Sequence, residues 1–403
     1  MTAPWTFHSA GSLAFGRGSV RQLGDITRRL RAKKAFVVTD SVLAGNGILD
    51  AVRTPLEAAG ATVGVWAGGK AEPPVETVRE AFAAAKAFAP DVVIGMGGGS
   101  NMDVSKLVAI LLAHGGDPTD YVGDCRVPGP VHPLICVPTT AGTGSEVTAA
   151  AVFTDTAKQI KVSCLSNYLR PAAAVVDPLL TVGCPKKVTA DSGIDALTHA
   201  IEAFTAVDHD EFLKRPPGGE TVYQGKNPLA DAMAAECIAL VGKYLKRAVD
   251  DGQDLEARDG MALAATLGGL AFSNAGVALV HAMEYPVGGA VHVSHGAGNG
   301  LLLPYVMMYN SPVAKGKLAA LPKLFGRIHA ADDEDSEVMR AVGIVGKLRE
   351  EIGIPTRLRD LGVTEDMLPG FAEKAFGIKR LMRVNPRFPA SADEILDIYR
   401  AAF

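Results

Sequence analysis

The chain has 403 residues, 48% hydrophobic and 21% charged, with 44 acids against 40 bases for a formal charge of −4. Such a length exceeds one ordinary domain and such a composition is globular, so extended disorder is excluded and two domains sharing a cleft are expected. Without a long run of either charge a nucleic-acid surface is not expected, and no stretch reaches the roughly 18 apolar residues of a membrane span.

The start of the chain, Met1 to His8, lacks the basic residues and apolar core of a secretory signal, so a cytoplasmic location is expected. Next come short β-branched runs at 35–40, 61–66, 91–95 and 134–138, which read as buried strands, with helical spacing at 75–88 between them. Alternation of this kind implies βαβ units and a mostly parallel sheet. Five cysteines (Cys125, Cys136, Cys164, Cys184, Cys237) form no C-x-x-C pair and read as free thiols.

After the third strand, Gly95-Met-Gly-Gly-Gly-Ser-Asn-Met-Asp103 leads into a helix-compatible stretch at 104–113. Glycines let backbone approach a ligand, and the N–H groups of a helix start attract phosphate. The third glycine of a G-x-G-x-x-G pattern would fall on Ser100, so that fingerprint is not met, and a tight strand-to-helix turn is the competing reading. A second loop, 138–148, offers hydroxyls and glycines suited to a ribose or carboxamide, or else forms a polar loop with a helix cap. Asp40 closes an earlier strand, where a carboxylate accepts hydrogen bonds from ribose hydroxyls and repels an added phosphate, favouring NAD over NADP; Asp is also a common turn residue.

Beyond Cys184-Pro185 the pattern becomes helical, at 189–206, 227–250, 255–273, 336–351 and 392–402, with 208–226 expected as a loop. The expected division is therefore 1–185, an α/β domain, and 186–403, an all-α domain. Asp195 and His199 stand at i and i+4 and share one helix face, where they can close on an ion or form an ordinary structural pair. His281 and His295 add two imidazoles in a segment short of strong charge, and three nitrogens with one oxygen suit Fe2+ or Zn2+ better than Mg2+ or Ca2+. Spacing pairs Asp195 with His199 but does not join them to the other two.

The residues Gly97 to Ser100 with Asp103 and Lys106, the loop 138–148, the run 189–202, and His281 through His295-Gly296 together resemble the iron-containing, or group III, alcohol dehydrogenases along nearly the whole chain. The resemblance implies a dehydroquinate synthase-like architecture, a Rossmann-like sheet followed by helices. It implies a metal, Fe2+ with Zn2+ as the alternative, on Asp195, His199, His281 and His295. It implies NAD phosphates on Gly97, Gly98, Gly99, Ser100 and Asn101, other parts of NAD near Thr139, Thr140, Thr148 and Lys161, and NAD selection by Asp40. Many members carry a further histidine where this chain has Tyr285, so the proton relay falls to Tyr285, Glu284 or His292, or those residues serve packing and ligand support. Asn101 stands where Pro or Ser is more usual.

The implied reaction is reversible hydride transfer between a primary or secondary alcohol, or a hydroxyacid, and NAD, with His281, His295 and Tyr285 at the reacting centre and the ion acting as Lewis acid. Small alcohols, aldehydes or hydroxyacids are the expected partners, and a homodimer or higher homo-oligomer the expected assembly. Segments 223–228, 243–249, 254–258 and 274–277 are similar to hydroxyacid-oxoacid transhydrogenases, which makes transhydrogenation with a retained nicotinamide the alternative. A non-catalytic nucleotide-binding protein is the third reading.

Overall fold

Strands that are apolar on both faces need helices on both sides, and the α/β unit supplies them. In the computed structural model, which describes residues 3–158, 160–327 and 333–403, this unit comprises residues 8–184 and 220–222. Its elements are β1 (Leu13–Phe15), α1 (Leu23–Arg29), β2 (Lys34–Val38), α2 (Ser41–Gly45), α3 (Ile48–Ala58), β3 (Thr62–Trp66), α4 (Val75–Phe88), β4 (Val92–Gly97), α5 (Gly99–His114), β5 (Gly123–Asp124), β6 (Leu134–Pro138), β7 (Ala150–Asp155), β8 (Ile160–Leu165) and β9 (Ala173–Val176).

Six strands form an all-parallel sheet in the order β1-β9-β6-β4-β2-β3, with Val37 opposite Ile94 and Ile94 opposite Ile135. Successive residues serve opposite cores: Phe36, Val38 and Val93 pack with Val78 and Leu107 of α4 and α5, while Ala35, Val37 and Ile94 pack with Leu23, Val52 and Leu56 of α1 and α3. A smaller sheet, β5-β8-β7, pairs β7 and β8 antiparallel.

The strand order carries the functional information. From β2 the chain moves outward to β3, then returns to the other side of β2 to lay down β4, β6 and β9. The reversal between β2 and β4 is a topological switch point, and ligands of open α/β sheets bind beyond the carboxyl ends of strands at such a point.

The second unit comprises residues 185–219 and 223–403, together with the described part of the N-terminal seven residues. Its helices are α6 (Lys186–Thr205), α7 (His209–Phe212), α8 (Pro228–Asp250), α9 (Leu255–Ala275), α10 (Leu279–Val291), α11 (His295–Leu324), α12 (Glu334–Glu351), α13 (Leu368–Gly377), α14 (Lys379–Val384) and α15 (Ala392–Ala402). Local chemistry starts several of them: Asn227 accepts the N–H groups of Leu229 and Ala230 ahead of Pro228, and Asp254 accepts that of Ala257. Helix α6 is buried along most of its length, packed by α8, α9 and α11. Among the described residues no single helix is long and apolar enough to cross a membrane.

Three local expectations need correction. The stretch 208–226 is not loop throughout, because α7 forms where Asp210 and Glu211 favour a helix start and Phe212 is buried. The helix expected from residue 104 begins at Gly99, so the glycine turn shrinks to Gly98 and the last residues of β4. The strand expected to reach residue 40 ends at Val38, since Asp40 is the N-cap of α2.

Candidate dinucleotide site and metal centre

The switch point gathers residues from three strand ends. Asp40 follows β2, Gly97 ends β4 with residues 98–101 after it, and Thr139 and Thr140 follow β6. Helix α5 has no acidic side chain in its first turn and runs for 16 residues, so its unpaired N–H groups present an uncompensated positive end. Gly97 has φ of 140°, and a Cβ there would stand 2.2 Å from Nδ2 of Asn101, so only glycine lets strand pass into helix so tightly.

Asp40 is pinned from two sides. Its Oδ1 accepts the N–H groups of Val42 and Leu43 at 2.9 and 3.0 Å, and its Oδ2 accepts Nδ2 of Asn101 at 2.7 Å. Asn101 thus bridges the two sides of the switch point, a contact that its departure from the usual residue types makes available. Ser100 Oγ accepts the N–H of Glu72, and the ammonium of Lys161 pairs with Glu72 at 2.7 Å. The N–H of Thr139 donates to the Gly97 carbonyl at 3.0 Å, joining the two loops.

Lys106 is the buried clamp of this region. Its ammonium donates to Ser145 Oγ (2.8 Å), Thr148 Oγ1 (3.0 Å) and the Ala150 carbonyl (2.8 Å), while Asp103 accepts Ser145 Oγ and the N–H of Val152. Burial pushes the Lys106 pKa down, and the carboxylate of Asp103 opposes the shift. The Thr148 hydroxyl is therefore part of a clamp that orders the 138–148 loop.

In the helical unit, Asp195 and His199 lie on one face of α6, with His199 Nε2 3.9 Å from Asp195 Oδ2. Donor atoms of Asp195, His199 and His281, all buried, lie within 4.8 Å of one another. The His199 and His281 rings stack at 4.8 Å, and His199 is backed by Phe272 of α9 at 4.1 Å. His295 stands at the start of α11 with its side chain 32% exposed, its Nε2 4.0 Å from Asp195 Oδ1 and its ring edge-on to His281 at 5.2 Å. Gly296 makes this approach feasible, because a Cβ there would fall 1.9 Å from the Asp191 carbonyl of α6.

Two buried carboxylates aim the rings. Glu202 Oε2 accepts Nδ1 of His281 at 2.6 Å, and Glu284 Oε2 accepts Nδ1 of His295. Occupied at Nδ1, each imidazole keeps the Nε2 lone pair for a metal, the usual support of a ligating histidine. Burial alone would raise the Asp195 pKa; the three imidazoles and the Asn299 amide outweigh it and hold the carboxyl below its usual value. The donor set therefore fits a divalent transition ion.

Of the residues expected to pass a proton, Glu284 is committed to His295, His292 is the exposed C-cap of α10, and Tyr285 is half-buried with its ring 6.0 Å from that of His295. The sequence by itself assigns no role to Glu202, Asn299 or Lys106. The signal for Asn299 is its place four residues after His295, the same spacing that pairs Asp195 with His199.

Two family profiles match the chain: iron-containing alcohol dehydrogenase over residues 10–178, and the C-terminal domain of the Fe-containing alcohol dehydrogenase family over residues 221–403. The chain belongs to the iron-containing alcohol dehydrogenase family, and it is an oxidoreductase that interconverts alcohols and aldehydes. It is 38% identical over 392 residues to long-chain-alcohol dehydrogenase 1 of Geobacillus thermodenitrificans (strain NG80-2), covering 96% of this chain and 94% of that one. It is 33% identical over 387 residues to the NAD-dependent methanol dehydrogenase of Bacillus methanolicus, covering 96% and 97%. The crystal structure of a 1,3-propanediol oxidoreductase superposes over 100% of both chains with a TM-score of 0.92 at 35% identity. These relatives support the family at large rather than its transhydrogenase branch, and they do not favour the non-catalytic reading.

Proposed function

We propose that the protein transfers a hydride reversibly between a primary or secondary alcohol and NAD, with an iron ion held by Asp195, His199, His281 and His295. The observation that carries this reading is the pair of carboxylate-imidazole contacts, Glu202 to His281 and Glu284 to His295, beside the buried Asp195 and His199. When bound, the ion supplies Lewis acidity at the alcohol oxygen and the nicotinamide accepts the hydride.

The chain's own residues divide the remaining work. The α5 N-terminus and the backbone of Gly97, Gly98, Gly99, Ser100 and Asn101 bind pyrophosphate; Asp40 accepts the ribose hydroxyls and disfavours a 2′-phosphate. Thr139, Thr140, Thr148 and Lys161 line the rest of the dinucleotide path. Tyr285, with its ring near His295, passes the alcohol proton outward. The relatives are named for alcohols from methanol to long-chain alcohols, which supports the alcohol class over hydroxyacids. None of the five cysteines is disulfide-bonded, which suits the reducing cytoplasm, and a homodimer or higher homo-oligomer is the proposed assembly.

The test is NADH absorbance with a series of primary alcohols, before and after metal removal and Fe2+ restoration. Metal-dependent NADH formation is the expected result; equal rates with and without metal would refute the reading.

A further inference from the structure

Asn299 lies on α11 one turn beyond His295 and is completely buried. Its Nδ2 is 2.8 Å from Asp195 Oδ1 and 3.2 Å from Nε2 of both His281 and His295. Its Oδ1 is buried without a hydrogen-bond partner among the described residues. An amide nitrogen has two hydrogens, so the shorter contact takes one and the two imidazoles share the other. Turning the amide over would press its oxygen against three acceptors. The orientation is thus dictated by the metal candidates, at the cost of leaving Oδ1 unsatisfied.

A bound cation would take the imidazole lone pairs, which leaves the bond to the carboxylate as the one compatible with an occupied centre. Donation to Oδ1 of Asp195 leaves the other oxygen, Oδ2, as the one on the His199 side, 3.9 Å from its Nε2. We infer that Asn299 is a positioning residue that fixes Asp195 as a one-oxygen metal ligand. The inference rests on the reading that Asp195 and the histidines hold the ion. Without the amide, the carboxylate is free to swing or to offer both oxygens, and the ion meets a looser and differently coordinated centre.

The experiment compares full-length wild type with Asn299→Leu, which keeps the branched side-chain skeleton without its polar atoms, and Asn299→Ala, which secures a reading should the bulkier leucine variant fail to fold. Metal-free proteins are titrated with Co2+ against a chelator, the visible absorption of the Co2+ forms is recorded, and melting is followed with and without the ion. The dissociation constant for Co2+ is expected to rise on the order of 10–100-fold, as for other residues that support a metal ligand. The visible bands are expected to weaken as the carboxylate adds a second oxygen to the ion. Wild-type-like affinity and bands in a folded variant overturn the inference while leaving the metal centre intact. A wild type that binds no Co2+ overturns the metal reading and this inference with it.

Discussion

Nδ1 of His281 donates to Oε2 of Glu202 at 2.6 Å, and the same carboxylate accepts the N–H groups of Ala278 and Val280 at 2.9 and 2.7 Å. One buried side chain of α6 therefore both anchors the start of α10 and sets the imidazole's tautomer. A carboxylate at a helix N-terminus is favoured by the macrodipole, so the demands of the fold and of the metal centre coincide on Glu202.

Glu202→Gln replaces one acceptor oxygen with a donor amide. The single amide oxygen cannot serve both positions: the amide nitrogen faces either the N–H of Val280 or both the N–H of Ala278 and Nδ1 of His281, and in either case His281 loses its carboxylate, so that Nε2 is no longer held deprotonated. Metal affinity is expected to fall on the order of 10–100-fold. Elemental analysis after dialysis against limiting metal, read beside a melting curve, checks this; full metal content in the variant would contradict it.

Asp40→Ala removes both the N-cap of α2 and the negative charge at the switch point. Loss of the cap costs about 1 kcal/mol, and on the proposed role of Asp40 the loss of its charged hydrogen bonds to ribose lowers kcat/KM for NAD on the order of 10–100-fold. The ratio of NAD to NADP efficiency should shrink, measured from initial rates with each cofactor. An unchanged ratio would show that discrimination lies elsewhere.

Lys106→Met removes the ammonium donor from Ser145, Thr148 and the Ala150 carbonyl in a buried site and takes that cation from Asp103. Orphaning such groups costs roughly 2–5 kcal/mol, and the 138–148 loop loses its anchor. Denaturant unfolding should move to lower concentration and NAD should bind more weakly by calorimetry. Unaltered NAD affinity would separate the clamp from cofactor binding.

Asp117 illustrates a pH effect away from the site. The Arg79 side chain, hydrogen-bonded at 2.7 Å, holds its carboxyl down to about 2 from an ordinary 3.8. A depressed acid stabilises above its unfolded value and loses that contribution as pH falls through its folded value. Melting temperature should therefore fall more steeply from pH 4 to pH 2 in wild type than in Asp117→Asn, with parallel curves as the contrary result.

Legibility in the sequence followed the range of the interactions. Helix 75–88 is read at its observed limits because its periodicity is local, as is strand 134–138. Asp195 and His199 are legible for the same reason, one helical turn apart. His281 and His295 are reached by resemblance alone, since α10 contains Pro286 and follows Gly276, punctuation that masks a helix. Glu202 meets His281 across 79 positions and Asn299 meets Asp195 across 104, separations over which no local pattern operates. Asn101 stands out in the sequence as a departure, but its bond to Asp40 depends on β2 and β4 being neighbours, which the strand order alone determines.

On the proposed function, one ion bound by Asp195, His199, His281 and His295 is required for alcohol oxidation. The most direct measurement is iron content and NADH formation from a primary alcohol, taken together, for wild type and His281→Ala. Loss of Lewis-acid stabilisation worth several kcal/mol corresponds to a rate decrease on the order of 10³-fold or more. Near-stoichiometric iron is expected in wild type, with metal and activity lost together in the variant; activity that persists after the metal is gone would refute the metal's role.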